Sequence, residues 1–161
     1  MSASQTMSLL PPWAPNLHPL IVHFPIVLVM TAAAIDVLDA VFGRVPWLGI
    51  AATALYLAGA LATVAAYLTG VEAGSSVLVP GMAYPVLTAH GQWALATMCY
   101  CLVFGGLRLA LLRARIGRAR ATRVLLLLCG LVGVVLVQQT AERGARLVYE
   151  FGTGVIAVPG R

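Results

Sequence analysis

The chain has 161 residues, 61% of them hydrophobic and 9% charged, with a mean hydropathy of +0.96. A soluble domain of this length has too little interior to hide so much apolar surface, so lipid must be its solvent. The net charge of +5 comes from ten arginines and no lysine against five acids. Six of the ten arginines fall between Arg108 and Arg123 without any nucleic-acid fold signature, which points to membrane topology and away from nucleic acid as a partner.

The opening stretch "MSASQTMSLLPPWAP" has neither a positive n-region nor a cleavage pattern, so a retained outer tail is expected over residues 1–18. A hydrocarbon core of ~30 Å needs ~20 residues of apolar helix. Four runs qualify, at about 19–42, 47–69, 85–112 and 121–140, bounded by Pro, Gly and charge. Their short connections predict an all-α integral membrane fold, an antiparallel four-helix bundle over residues 19–142. Cys99, Cys101 and Cys129 lie within these runs and read as packing; residues two apart on a helix face different sides.

Positive loops stay in the cytoplasm. Arg44 follows the first run, and Arg113, Arg115, Arg118, Arg120 and Arg123 surround the link after the third, so both termini are expected on the periplasmic side. Arg143, Arg146 and Arg161 on the C-terminal side count against this orientation, whereas Trp13 and Tyr84 at one level and Trp47 at the other suit aromatic belts. Past the fourth run, residues 143–161 should form a periplasmic tail, because "GTGV" is too glycine-rich to extend a helix.

The polar residues concentrate at one end. His23 and His90 lie four and five residues after Pro19 and Pro85, roughly 6 and 8 Å into helices that run in the same direction. Tyr67, Thr69, Gln138, Gln139 and Thr140 should share their level. Polar groups inside a span usually face the protein interior and mark a site. His18 and His23, five residues apart, differ by about 140° around a continuous helix and cannot grip one ion together from it.

The arrangement suits a b-type haem with His23 and His90 as axial ligands. His18 would then meet a propionate, a quinone head group or a partner protein, and Trp93 would pack on the macrocycle or simply on its neighbours. Gln138 or Gln139 would hold an imidazole by its second nitrogen, and Ala89, Gly91 and Gly70 would leave room. A rival arrangement puts all three histidines on one copper, zinc or iron ion, provided the segment from His18 to His23 is not helical. In a third, the histidines only hydrogen-bond across helices. Asp36 and Asp39 are roughly 20 Å from the histidines along the helix and read as partners of Arg44 or Arg108 in a membrane-buried ion pair.

The segments "LHPLIVHFPIVL", Thr69 with Gly70, "TAHGQWA" and "GARLVYEFGTGV" together resemble a bacterial family of small four-helix membrane proteins, domain of unknown function 2231. The likeness runs from about Leu17 onward and makes His18, Pro19, His23, Phe24, Pro25, His90, Tyr149 and Gly152 family-pattern positions. It implies a four-helix membrane fold and a redox role, but carries no established activity. The resulting expectation is a multi-pass electron-transfer subunit of the bacterial inner membrane, working between quinone and a periplasmic cytochrome or larger respiratory complex. The alternatives are a non-catalytic accessory subunit of a larger membrane complex and the three-histidine metal site.

Overall fold

The structure, a computed structural model, describes residues 16–43, 45–116 and 119–155. The N-terminal tail with Trp13, together with Arg44, Arg118 and Arg161, lies outside the described residues. Among the described residues the chain is all-helical: α1 (His18–Ile21), α2 (His23–Phe42), α3 (Pro46–Ser76), α4 (Tyr84–Arg113) and α5 (Arg120–Tyr149), with a short 3-10 turn at Gly81–Ala83. Counting α1 and α2 as one, four helical stretches are long and apolar enough to cross a membrane: His18–Phe42, Pro46–Ser76, Gly81–Arg113 and Arg120–Tyr149.

Local chemistry accounts for the breaks. Pro25 has no N–H for the Ile21 carbonyl, so the regular ladder is interrupted between α1 and α2. The amides of Ile21 and Val22 still donate to the carbonyls of Leu17 and His18, both at 3.1 Å, which keeps the interruption to one residue. Gly43 ends α2 in a left-handed conformation, φ 50°, its N–H donating to the Asp39 carbonyl at 2.9 Å. Proline near the first position starts α1, α3 and α4, where a missing N–H costs nothing.

Two helices run further than their apolar stretches. α3 continues through Gly70 to Ser76, and its 31 residues span about 46 Å, more than the ~30 Å hydrocarbon core. α5 continues nine residues past Thr140 to Tyr149. Helix-forming residues and an Arg146–Glu150 ion pair at 3.0 Å support that last part. The chain then leaves the helix at Gly152, φ 63°.

α2 packs on α3 and α5, and α4 packs on the same two helices, so α2 and α4 stand diagonally opposite. The shared core takes Val29 and Ala32 from α2, Tyr56 and Ala60 from α3, Cys101 and Phe104 from α4, and Val137 from α5. The Gly59 Cα sits so near α2 that an added Cβ would lie 3.1 Å from Val29 Cγ2. Small residues thus set the helix spacing, as packing in lipid requires. Polarity is inverted relative to a soluble protein. Val41, Leu61 and Val103 are about 70% exposed (70, 69 and 73%), while Asp36, Thr53, Thr63, Thr97 and Arg108 are buried.

Candidate functional site

His18 opens α1, with its backbone N–H donating to Asn16 Oδ1 at 3.1 Å. Its ring turns into the protein, where Nδ1 lies 3.2 Å from Thr69 Oγ1 on α3. Across the same space stands His90 on α4, whose Nδ1 lies 3.0 Å from the Thr140 carbonyl on α5. The two rings face edge to face, centroids 6.4 Å apart and planes at 78°. Four helical segments therefore meet at one pair of imidazoles.

The hydrogen bonds fix the tautomers. A carbonyl only accepts, so His90 carries its proton on Nδ1. The Thr69 hydroxyl directs its one proton to the Ala65 or Ala66 carbonyl, at 2.9 and 3.1 Å, so its oxygen accepts from His18 Nδ1–H. In each neutral ring the remaining lone pair is then on Nε2, free to serve as metal ligand or base. Holding Nδ1–H on a fixed acceptor is the arrangement that orients a metal-ligating histidine. Glycine supplies the space: a Cβ at Gly70 would lie 3.0 Å from His18 Cε1, and one at Gly144 would lie 3.1 Å from His90 Cε1.

The surrounding layer is polar and tightly connected. The Thr97 hydroxyl is 2.7 Å from the Trp93 carbonyl and 2.8 Å from Thr140 Oγ1, which joins α4 to α5 below His90. The Arg143 guanidinium covers the Trp93 ring at 4.5 Å and donates to the Gln139 carbonyl at 2.6 Å and to Gln139 Oε1 at 2.9 Å.

Several expected partners are arranged differently. His23, matched to His90 by depth, is exposed on the outside of α2; the ring that faces His90 belongs to His18. The ~140° between residues five apart explains the exchange, since turning His18 inward carries His23 outward. For the same reason the three histidines do not converge. Among the described residues, no group of three or more His, Cys, Asp or Glu side chains is placed to hold a metal ion. Gln139 is engaged by Arg143 and Gln138 is exposed, so the second nitrogens of the imidazoles go to Thr69 and Thr140 instead of to either amide. Trp93 is stacked under Arg143. Of the small residues, Gly70 does border an imidazole, while nothing approaches Gly91. Thr97 and Gly144 belong to the layer but escaped the sequence reading, which took Arg143 only as a sign of topology. The spacing of Thr97 seven residues after His90, on the same helix face, was the available signal.

The other end of the helices holds the buried ion pair. Arg108 on α4 donates from Nη1 to Asp36 Oδ2 and from Nη2 to Asp36 Oδ1, both at 2.8 Å. Its Nε is 3.4 Å from Thr53 Oγ1, and its guanidinium lies 4.7 Å from the Tyr56 ring centroid. Asp39 does not share this pairing.

A search against known families matches residues 14–157 to a family described as a predicted membrane protein (DUF2231). No curated protein matches the chain, and no solved structure matches it.

Proposed function

The chain belongs to the DUF2231 family of predicted membrane proteins, and we propose that it is an electron-transfer subunit of the bacterial inner membrane. In this reading the helices form an antiparallel up-and-down bundle. Arg108, Arg113, Arg115, Arg120 and Arg123 lie toward the cytoplasm, and the termini and the histidine layer face the periplasm. His18 and His90 would hold a b-type haem, in place of the pair His23 and His90.

One observation carries the proposal. Two imidazoles on diagonally opposed helical segments lie with their centroids 6.4 Å apart, each with Nδ1 anchored and the Nε2 lone pair left unused. Metal–imidazole bonds are about 2.0–2.1 Å, so two rings that turned their Nε2 atoms toward one metal would have centroids at about this separation. Bound there, haem iron would supply one-electron chemistry within reach of a quinone at the membrane surface and of a periplasmic cytochrome or larger respiratory complex. The chain's own residues set the ring directions through Thr69 and Thr140. They also place the Arg143 cation near the site, where it would favour an acidic group such as a propionate.

The short separation of the rings, 6.4 Å between centroids, favours a second reading, a single copper ion on the same two nitrogens. Imidazole suits copper, and such an ion requires no room for a macrocycle.

The test is an absorption spectrum of the protein purified in mild detergent, oxidised and then reduced, with haem extraction and metal analysis on the same sample. The expected result is a b-type spectrum that is lost in His18→Ala and His90→Ala and retained in His23→Ala. Copper without haem selects the second reading. Retention of the cofactor by His18→Ala, or a colourless and metal-free protein, overturns both and leaves the accessory-subunit role.

A further inference from the structure

At the end away from the histidines, the helices frame an open cavity of about 390 Å³. Its polar lining includes Arg108, Arg115 and Arg123, and its apolar lining includes Ile50, Leu112 and Leu126. We propose that this cavity binds the phosphate head group of an anionic phospholipid. Arg115 and Arg123 would take the phosphate, and the apolar lip would carry the first part of an acyl chain.

Charge placement supports an anion. Arg108 is already paired with Asp36, so it forms a fixed and neutralised floor. Among the described residues, Asp39, the acid in the lining, offsets one of the two remaining cations, Arg115 and Arg123. An anionic ligand completes the balance. Arg123 Nη1 donates to the Gly43 carbonyl at 2.7 Å, which anchors the side chain across from α5 to the end of α2. Arg123 also lines the cavity, and a phosphate oxygen is an acceptor that guanidinium geometry suits well.

Arg115 provides an independent observation. α4 ends in a Schellman cap: the Arg115 N–H donates to the Leu112 carbonyl at 3.1 Å and the Ile116 N–H to the Leu111 carbonyl at 3.0 Å. The residue at the left-handed position of such a cap is ordinarily glycine, but here Arg115 occupies it with φ 57°. A side chain held in this unfavourable conformation at the mouth of a cavity points to a role for that side chain. The lipid source follows from position. The cavity opens among residues flanking the membrane-crossing stretches, and exposed Ile116 at its rim continues the apolar surface outward.

The test uses the full chain in mild detergent, with thermal stability and native mass spectrometry read against three additives: phosphatidylglycerol, phosphatidylcholine and inorganic phosphate. Phosphatidylglycerol should raise the unfolding temperature and remain bound, with at least about tenfold preference over phosphatidylcholine. Arg123→Gln and Arg115→Gly should each lower that preference about tenfold, one charge-assisted contact at ~1.4 kcal/mol per decade. Arg115→Gly also separates binding from folding. Glycine relaxes the cap, so the variant without lipid should unfold at the same or a higher temperature than the parent. Equal binding of the two lipids, unchanged binding by both variants, or inorganic phosphate binding as tightly as the lipid would each overturn the proposal. In the last case the occupant is free phosphate.

Discussion

Breaking the Asp36–Arg108 pair offers the most direct measure of what the interior polar groups contribute. Both side chains are nearly inaccessible, 2% for Arg108 and 4% for Asp36, and both parallel hydrogen bonds are 2.8 Å long. At an effective dielectric constant of about 20, unit charges about 4 Å apart attract by about 4 kcal/mol. Removing one partner from a buried pair costs about 3–5 kcal/mol, because the survivor is left without compensation. At ~1.4 kcal/mol per decade, this lowers the folding equilibrium constant by about two to three and a half orders of magnitude. The two single changes should differ. Arg108→Met strands a carboxylate, which can escape by binding a proton, whereas Asp36→Leu strands a guanidinium, which cannot. Asp36→Leu is therefore the more damaging. The double variant removes both charges and should recover most of the loss, since two apolar side chains of similar volume replace a pair whose desolvation is itself expensive. The assay is a double-mutant cycle on unfolding in mixed micelles with rising SDS, followed by the helical circular-dichroism signal. The reasoning fails if either single variant stays within about 1 kcal/mol of the parent, or if the double variant is no more stable than the weaker single.

Two further predictions concern glycines where helices touch. A methyl group at Gly130 would collide with the Tyr56 hydroxyl, so Gly130→Ala should destabilise the fold by about 1–3 kcal/mol in the same SDS titration; an unchanged midpoint would rule out the contact. At the other end, Gly70→Ala and Gly144→Ala place a methyl 3.0 Å from His18 Cε1 and 3.1 Å from His90 Cε1. Each should tilt an imidazole and reduce metal or haem affinity about 10–100-fold, as lost orientation of a ligand does. Membrane insertion should be unaffected, and metal occupancy equal to the parent's in both variants would show that ring orientation does not matter.

Much of the architecture could be read from the order of residues alone. Apolar runs long enough to cross a bilayer are a one-dimensional property, and Pro, Gly and arginine mark where they stop, so four helices at nearly these positions follow from composition and spacing. A polar layer near one end and an acid–base pair near the other were legible for the same reason, because depth along a helix is simply ~1.5 Å per residue. Rotation about the helix axis was not legible. With apolar residues all around each helix, no hydrophobic face announces which side is inward. The interruption at Pro25 further loosens any extrapolation from one turn to the next. Depth therefore matched His23 to His90, whereas tertiary packing turned His18 to His90 and left His23 exposed. Packing likewise chose Asp36 over Asp39 for Arg108, since two acids on one face differ only in which of them meets the neighbouring helix. The partners of the imidazoles were hidden for a related reason. Thr140 contributes its backbone carbonyl, a group every residue carries, while Gly70 and Gly144 contribute only the absence of a side chain. Such contributions become visible when the helices are set against one another.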